Sequence, residues 1–167
     1  MEVLMSKTKR FLSGAVLLAA LAVAAPKNAR AEEDKNFGLG LSLGTPTGLT
    51  GKIWLDDLRA VDFAVGTYGY YVGSSYEGVN LHADYLWHYY GIFGSPGSEA
   101  YQRMPLYAGV GGMYASPGVA GVRSVVGVTY LFREPFDLFV ELAPTLFLVP
   151  GVGLGLDGGI GGRFYFY

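Results

Sequence analysis

The stretch Val79-Asn80-Leu81-His82-Ala83-Asp84-Tyr85-Leu86-Trp87-His88-Tyr89 sorts its side chains by parity. A β-strand sends successive side chains to opposite faces. Val79, Leu81, Ala83, Tyr85, Trp87 and Tyr89 then make one apolar face, and Asn80, His82, Asp84, Leu86 and His88 make the other. A helix would scatter both sets around its circumference. The stretch reads as a strand.

The same period of two recurs on both sides of it. Phe37, Leu39, Leu41 and Leu43 alternate with Gly38, Gly40, Ser42 and Gly44 before a turn at Thr45-Pro46-Thr47-Gly48. Leu49, Gly51, Ile53 and Leu55 alternate with Thr50, Lys52 and Trp54, and Val61, Phe63 and Val65 with Asp62, Ala64 and Gly66. A fifth strand is expected from about Leu106 to Tyr114, closed by Ser116-Pro117-Gly118. A sixth sets Val122, Ser124, Val126, Val128 and Tyr130 against Arg123, Val125, Gly127 and Thr129. A seventh sets Phe136, Leu138, Val140 and Leu142 against Asp137, Phe139 and Glu141, and the last starts near Leu156. Eight strands of about ten residues suit a tilted crossing of a bilayer. An even count puts both termini on one side. The longest linker, about Gly94 to Arg103, falls by parity on the side of the termini, where membrane barrels usually keep short turns.

The chain has 167 residues, and its start carries Lys7, Lys9 and Arg10 ahead of an apolar run from Phe11 to Ala25. That run is short of the roughly 20 residues a membrane helix needs. It ends at Ala29-Arg30-Ala31, so residues 1–31 read as a cleaved secretory signal peptide and 32–167 as one barrel domain. The mature part keeps 7 of 12 basic and 13 of 14 acidic residues, a net charge of about −6. Such a surface does not suit nucleic acid, whose binders displace counterions with positive charge. With no Cys, disulfides, thiolate metal sites and a lipid anchor through Cys are excluded. The mature part holds 24 aromatic residues and no later apolar stretch long enough for a membrane helix. Membrane barrels show such rings to lipid and to its interfaces.

Lys52, Asp62, His82, Asp84, His88, Arg123, Asp137 and Glu141 all fall on the face opposite the apolar one, and Arg163 joins them if Phe164 and Phe166 face lipid. A basic group at the midplane of a membrane barrel costs roughly 2–4 kcal/mol. The nine groups are therefore expected to point inward and pair, three cations with four carboxylates. Eight strands enclose a space that side chains fill, which makes a plugged lumen. Gly38, Gly40, Gly66 and Gly127 leave room on that face for neighbours such as Trp54 and Tyr68. The ending Phe164-Tyr165-Phe166-Tyr167 resembles the signal read by the outer-membrane assembly machinery. In the usual register of that signal the terminal aromatic and alternate residues before it face lipid. Arg163 would then face lipid too, unless the strand overhangs by one residue.

Several stretches carry a family resemblance: Gly44-Thr-Pro-Thr-Gly-Leu-Thr-Gly-Lys52, Ala83-Asp-Tyr-Leu-Trp-His88, Pro105-Leu-Tyr-Ala-Gly-Val-Gly-Gly112 and Glu141-Leu-Ala-Pro144. The whole mature chain resembles small bacterial outer-membrane β-barrel proteins of the OmpA-transmembrane-domain and OmpX type. The resemblance implies an eight-stranded antiparallel up-and-down barrel with periplasmic termini, and it brings no catalytic residue.

Other motifs fail on chemistry. Gly51-Lys52 lacks the first glycine of a phosphate loop, where Pro46 stands, and Ile53 replaces its Ser or Thr. Gly153, Gly155 and Gly158 match a dinucleotide fingerprint, but nine residues cannot complete the βαβ unit it needs. His82 and His88 share a face but lie six residues apart, near 20 Å along a strand, too far for one metal ion. Ser124, on the lipid face, has no His beside it to make a nucleophile. The reading is a non-enzymatic, monomeric outer-membrane protein without cofactor, in contact with lipids and lipopolysaccharide. The alternatives are a narrow pore, a lipid A-modifying enzyme using His82 or Asp84, and a soluble periplasmic binding barrel.

Overall fold

The computed structural model describes residues 36–71, 74–132 and 135–166; residues 1–31, read as a signal peptide, and Tyr167 lie outside them. Eight strands follow one another: β1 (Phe37–Gly44), β2 (Thr47–Trp54), β3 (Arg59–Tyr71), β4 (Ser74–Tyr89), β5 (Leu106–Ala115), β6 (Val119–Leu131), β7 (Phe136–Val149) and β8 (Gly153–Phe166). Each pairs antiparallel with the next, and β8 pairs with β1 to close the barrel. The fold is an eight-stranded antiparallel up-and-down β-barrel.

Several strands are longer than alternation suggested, with β3 running on to Tyr71 and β4 starting at Ser74. β7 continues past Pro144, with Thr145 and Phe147 buried and Leu146 and Leu148 exposed. β8 starts at Gly153 instead of Leu156, because glycines carry no side chain to reveal a period. The linker after β4 holds a short helix, α1 (Glu99–Arg103), capped by the Ser98 side chain, which accepts from the Tyr101 amide.

The register sets the shape. From Tyr165 on β8 it passes through Gly38, Lys52, Asp62, Asp84, Gly111, Arg123 and Thr145, and returns to β8 at Gly155, ten residues from the start. Eight strands with that offset tilt by about 40° and enclose a backbone cylinder of about 8 Å radius. Such a bore holds one layer of side chains from each wall.

Outward positions are apolar on all eight strands, from Leu41 and Leu49 to Val110, Val126, Leu142 and Ile160. Outward aromatic rings crowd the end that holds the termini. Phe37 stacks on Phe63 and Phe166, Phe166 meets Phe164, and Phe164 meets Phe136. At the opposite end the connections have two or three residues, and Leu43, Leu154 and Tyr114 stand exposed near the rim.

Inside, apolar groups sit toward both ends and polar ones between. Trp54, Leu86 and Tyr107 pack toward the terminus end, and Met113, Ala115 and Phe147 toward the other. Glycines make room for rings. A Cβ at Gly38 would meet the Tyr165 ring at 2.8 Å, and one at Gly127 would meet Tyr107 at 2.4 Å. Tyr165 and Tyr107, not Trp54, occupy the space those two glycines leave; the Tyr68 side chain lies outside the described ones. Gly127→Val should therefore lower stability by about 1–3 kcal/mol through overpacking, seen as a lower urea midpoint for the refolded barrel.

Candidate functional site

The register brings the ionisable residues to one level. Lys52 stands beside Asp62 and Asp62 beside Asp84 on adjacent strands, and Asp137 stands beside Arg163. Gly111 separates Asp84 from Arg123 and leaves the space that Asp84 Oδ1 fills. Lys52, Asp62, His82, Asp84, His88, Arg123, Asp137 and Arg163 are buried in the lumen, and Glu141 reaches in beside Arg123.

Three cations organise the interior. Arg163 is paired with Asp62, donates to Thr50 Oγ1 at 3.3 Å, and has Asp137 Oδ2 at 3.6 Å. Its guanidinium also lies 3.9 Å from the centre of the Phe139 ring, a cation–π contact. Arg123 meets Asp84 Oδ2 at 3.1 Å and Glu141 Oε1 at 3.2 Å. Lys52 has no carboxylate within ion-pair distance among the described residues. Its Nζ donates to His88 Nε2 at 2.8 Å and lies 4.5 Å and 5.2 Å from the Trp54 and Tyr107 rings.

Both histidines are held neutral by these contacts. An ammonium or guanidinium can only donate, so His88 Nε2 and His82 Nδ1, each 2.8 Å from a cation nitrogen, must accept. The remaining protons sit on His88 Nδ1, which donates to the Leu58 carbonyl at 3.2 Å, and on His82 Nε2, 3.7 Å from Asp84 Oδ2. His88 is thus tied on both sides, between Lys52 and the Leu58 carbonyl, and His82 on its Arg123 side.

Tyrosine hydroxyls join the groups. Tyr107 donates to Glu141 Oε2 at 2.9 Å, and Tyr165 donates to Asp137 Oδ2 at 2.7 Å while accepting from Trp54 Nε1 at 3.3 Å. Tyr165 is thus an interior residue. Phe164 and Phe166 face outward and Arg163 inward, the opposite of the register in which Arg163 would meet lipid.

The sequence reading missed Asp157, a fifth inward carboxylate, which accepts from Thr145 Oγ1 at 2.7 Å. Three cations therefore face five carboxylates, not four. Asn80, Thr50 and Thr129, which alternation places on the same face as the charged groups, are buried there too. A cavity of about 10 Å³, about one water molecule in size, lies among Ser42, Thr50, Asp62, His82 and Glu141. No cluster of three His, Cys, Asp or Glu suited to a metal ion occurs among the described residues.

At the terminus rim the turn before β3 is tied by Asp56. It accepts from the Leu58 and Arg59 amides and from the Arg59 side chain. That side-chain hydrogen bond is the main reason its carboxyl is held below the usual 3.8.

The fold and interior together define the class, a narrow closed barrel with an apolar exterior and a charged, hydrogen-bonded core. The chain has the fold of the N-terminal β-barrel domain of Pseudomonas aeruginosa OprF. That similarity has a TM-score of 0.54 and 19% identity, and covers 78% of this chain and 94% of that domain. No family model matches the chain, and no curated protein matches it.

Removing one partner of a buried ion pair strands the other. Arg123→Met should cost about 3–5 kcal/mol, and adding Asp84→Asn should recover part of it. Urea unfolding of both variants checks this.

Proposed function

We propose that the chain is an integral outer-membrane barrel with a structural or interaction role and a plugged lumen. The observation that carries the reading is the division of its wall. Away from the rims the exposed outward positions are apolar except for Ser124, whereas Lys52, Arg123 and Arg163 with their carboxylates lie inside. Water rewards the opposite arrangement, and hydrocarbon requires this one. The fold shared with an OprF barrel domain supports the location.

The outward rings crowded at the terminus end fit an interface there, which becomes the periplasmic side. The opposite rim carries no outward Lys or Arg among the described residues. Its contacts with lipopolysaccharide then run through acyl chains instead of phosphates. β8, with Phe164 and Phe166 outward, is the strand offered to the assembly machinery. His82 and Asp84 lie inside and are committed to Arg123, which argues against lipid A chemistry.

A narrow pore is the second reading, favoured by the small cavity that reaches Asp62 and Glu141. Membrane fractionation with a gel run before and after boiling should show a heat-modifiable membrane protein, and planar bilayers should show no steady channels. Recovery from the soluble periplasm would overturn the membrane reading. Steady conductance would overturn the plug and leave the pore.

A further inference from the structure

Pro144 lies in the middle of β7, exposed on the outward wall, although proline in sheets belongs at edges and bulges and this barrel has no edge. On its β8 side the ladder is unbroken through Ala143, Pro144 and Thr145. On its β6 side the pairing runs to Arg123 with Thr145, then resumes at Val126 with Leu142. The two missing pairs, Ser124 with Pro144 and Val125 with Ala143, are those that need an N–H on residue 144. Proline has none. The Ser124 carbonyl is thus left without its ladder donor, on the outward wall beside an exposed serine hydroxyl.

That hydroxyl donates to the Pro144 carbonyl at 3.4 Å, a long contact to an oxygen that the Ser124 amide already serves within the ladder. One under-used donor and one unserved acceptor therefore sit together at one depth. Hydrocarbon offers nothing to satisfy either.

We infer that the β6–β7 seam is where two copies of this chain meet in the membrane. A two-fold axis along the membrane normal brings Ser124 of both copies to the same depth, and such an interface uses the same patch on each side. Each hydroxyl then donates to the other copy's Ser124 carbonyl. The surroundings fit. Leu142 and Leu146 stand out on β7, while on β5 the exposed Val110 stands beside Ser124 and Gly112 leaves a gap next to Val122, where a Cβ would meet nothing nearer than 3.7 Å. A leucine of one copy can enter the gap of the other. This departs from the monomer expected from the sequence, and it rests on the membrane reading, because water would satisfy the carbonyl.

The chain has no cysteine, so single substitutions report cleanly. Val122→Cys, an exposed neighbour on the same wall that leaves Ser124 intact, in the full chain exported to a bacterial outer membrane, should give a disulfide-linked dimer under mild oxidation. Its yield should exceed several-fold that of Leu49→Cys across the barrel. Pro144→Val, which restores the missing N–H, should lower the Val122→Cys yield to the Leu49→Cys level while the barrel stays heat-modifiable. Equal yields at positions 122 and 49, no loss with Pro144→Val, or cross-linking to a species of another mass each overturns the dimer. A protein absent from the membrane fraction overturns the membrane reading and the dimer together.

Discussion

Because the ladder returns to β8 ten residues from where it left, the backbone groups of the wall pair across strands except at local breaks such as the one at Pro144, and every side chain has an assigned side. A one-residue slip would exchange the two faces. It would put Asp62, Asp84 and Arg123 into hydrocarbon and pack leucines into a bore of about 8 Å radius. The closed ladder is what makes the charged interior tolerable, and the charged interior in turn pins the register.

The interior coheres because its polar groups are shared. Glu141 accepts from both Arg123 and Tyr107, and Asp137 accepts from Tyr165 near Arg163. Tyr107 also forms part of the aromatic surround of Lys52. Networks of this kind rigidify a core when satisfied and weaken it when one member is lost. The excess of two carboxylates and the unpartnered oxygens Asp84 Oδ1 and Asp137 Oδ1 are places where the network is least complete.

Alternation was enough to read the barrel and the inward side of β2, β3, β4, β6 and the start of β7, since there polar and apolar residues differ at successive positions. It failed where residues do not reveal a side. Asp157 sits in a run of glycines whose faces cannot be distinguished by hydropathy. Tyr165 and Tyr107 are amphipathic, so either face suits them, and only a partner such as Asp137 or Glu141 decides. The pairings themselves depend on register and closure. Arg163 reaches Asp62 across 101 positions of sequence, and no local pattern encodes that contact.

The claim that lipid surrounds the apolar face and side chains fill the bore is tested most directly by a nitroxide scan of residues 79–89 in lipid vesicles. Oxygen, which partitions into hydrocarbon, should collide with labels at Val79, Leu81, Ala83, Tyr85 and Trp87. Labels at Asn80, His82, Asp84 and Leu86 should be shielded from oxygen and from a water-soluble nickel chelate. Oxygen reaching the even positions instead, or the chelate reaching the odd ones along the whole strand, would contradict the account.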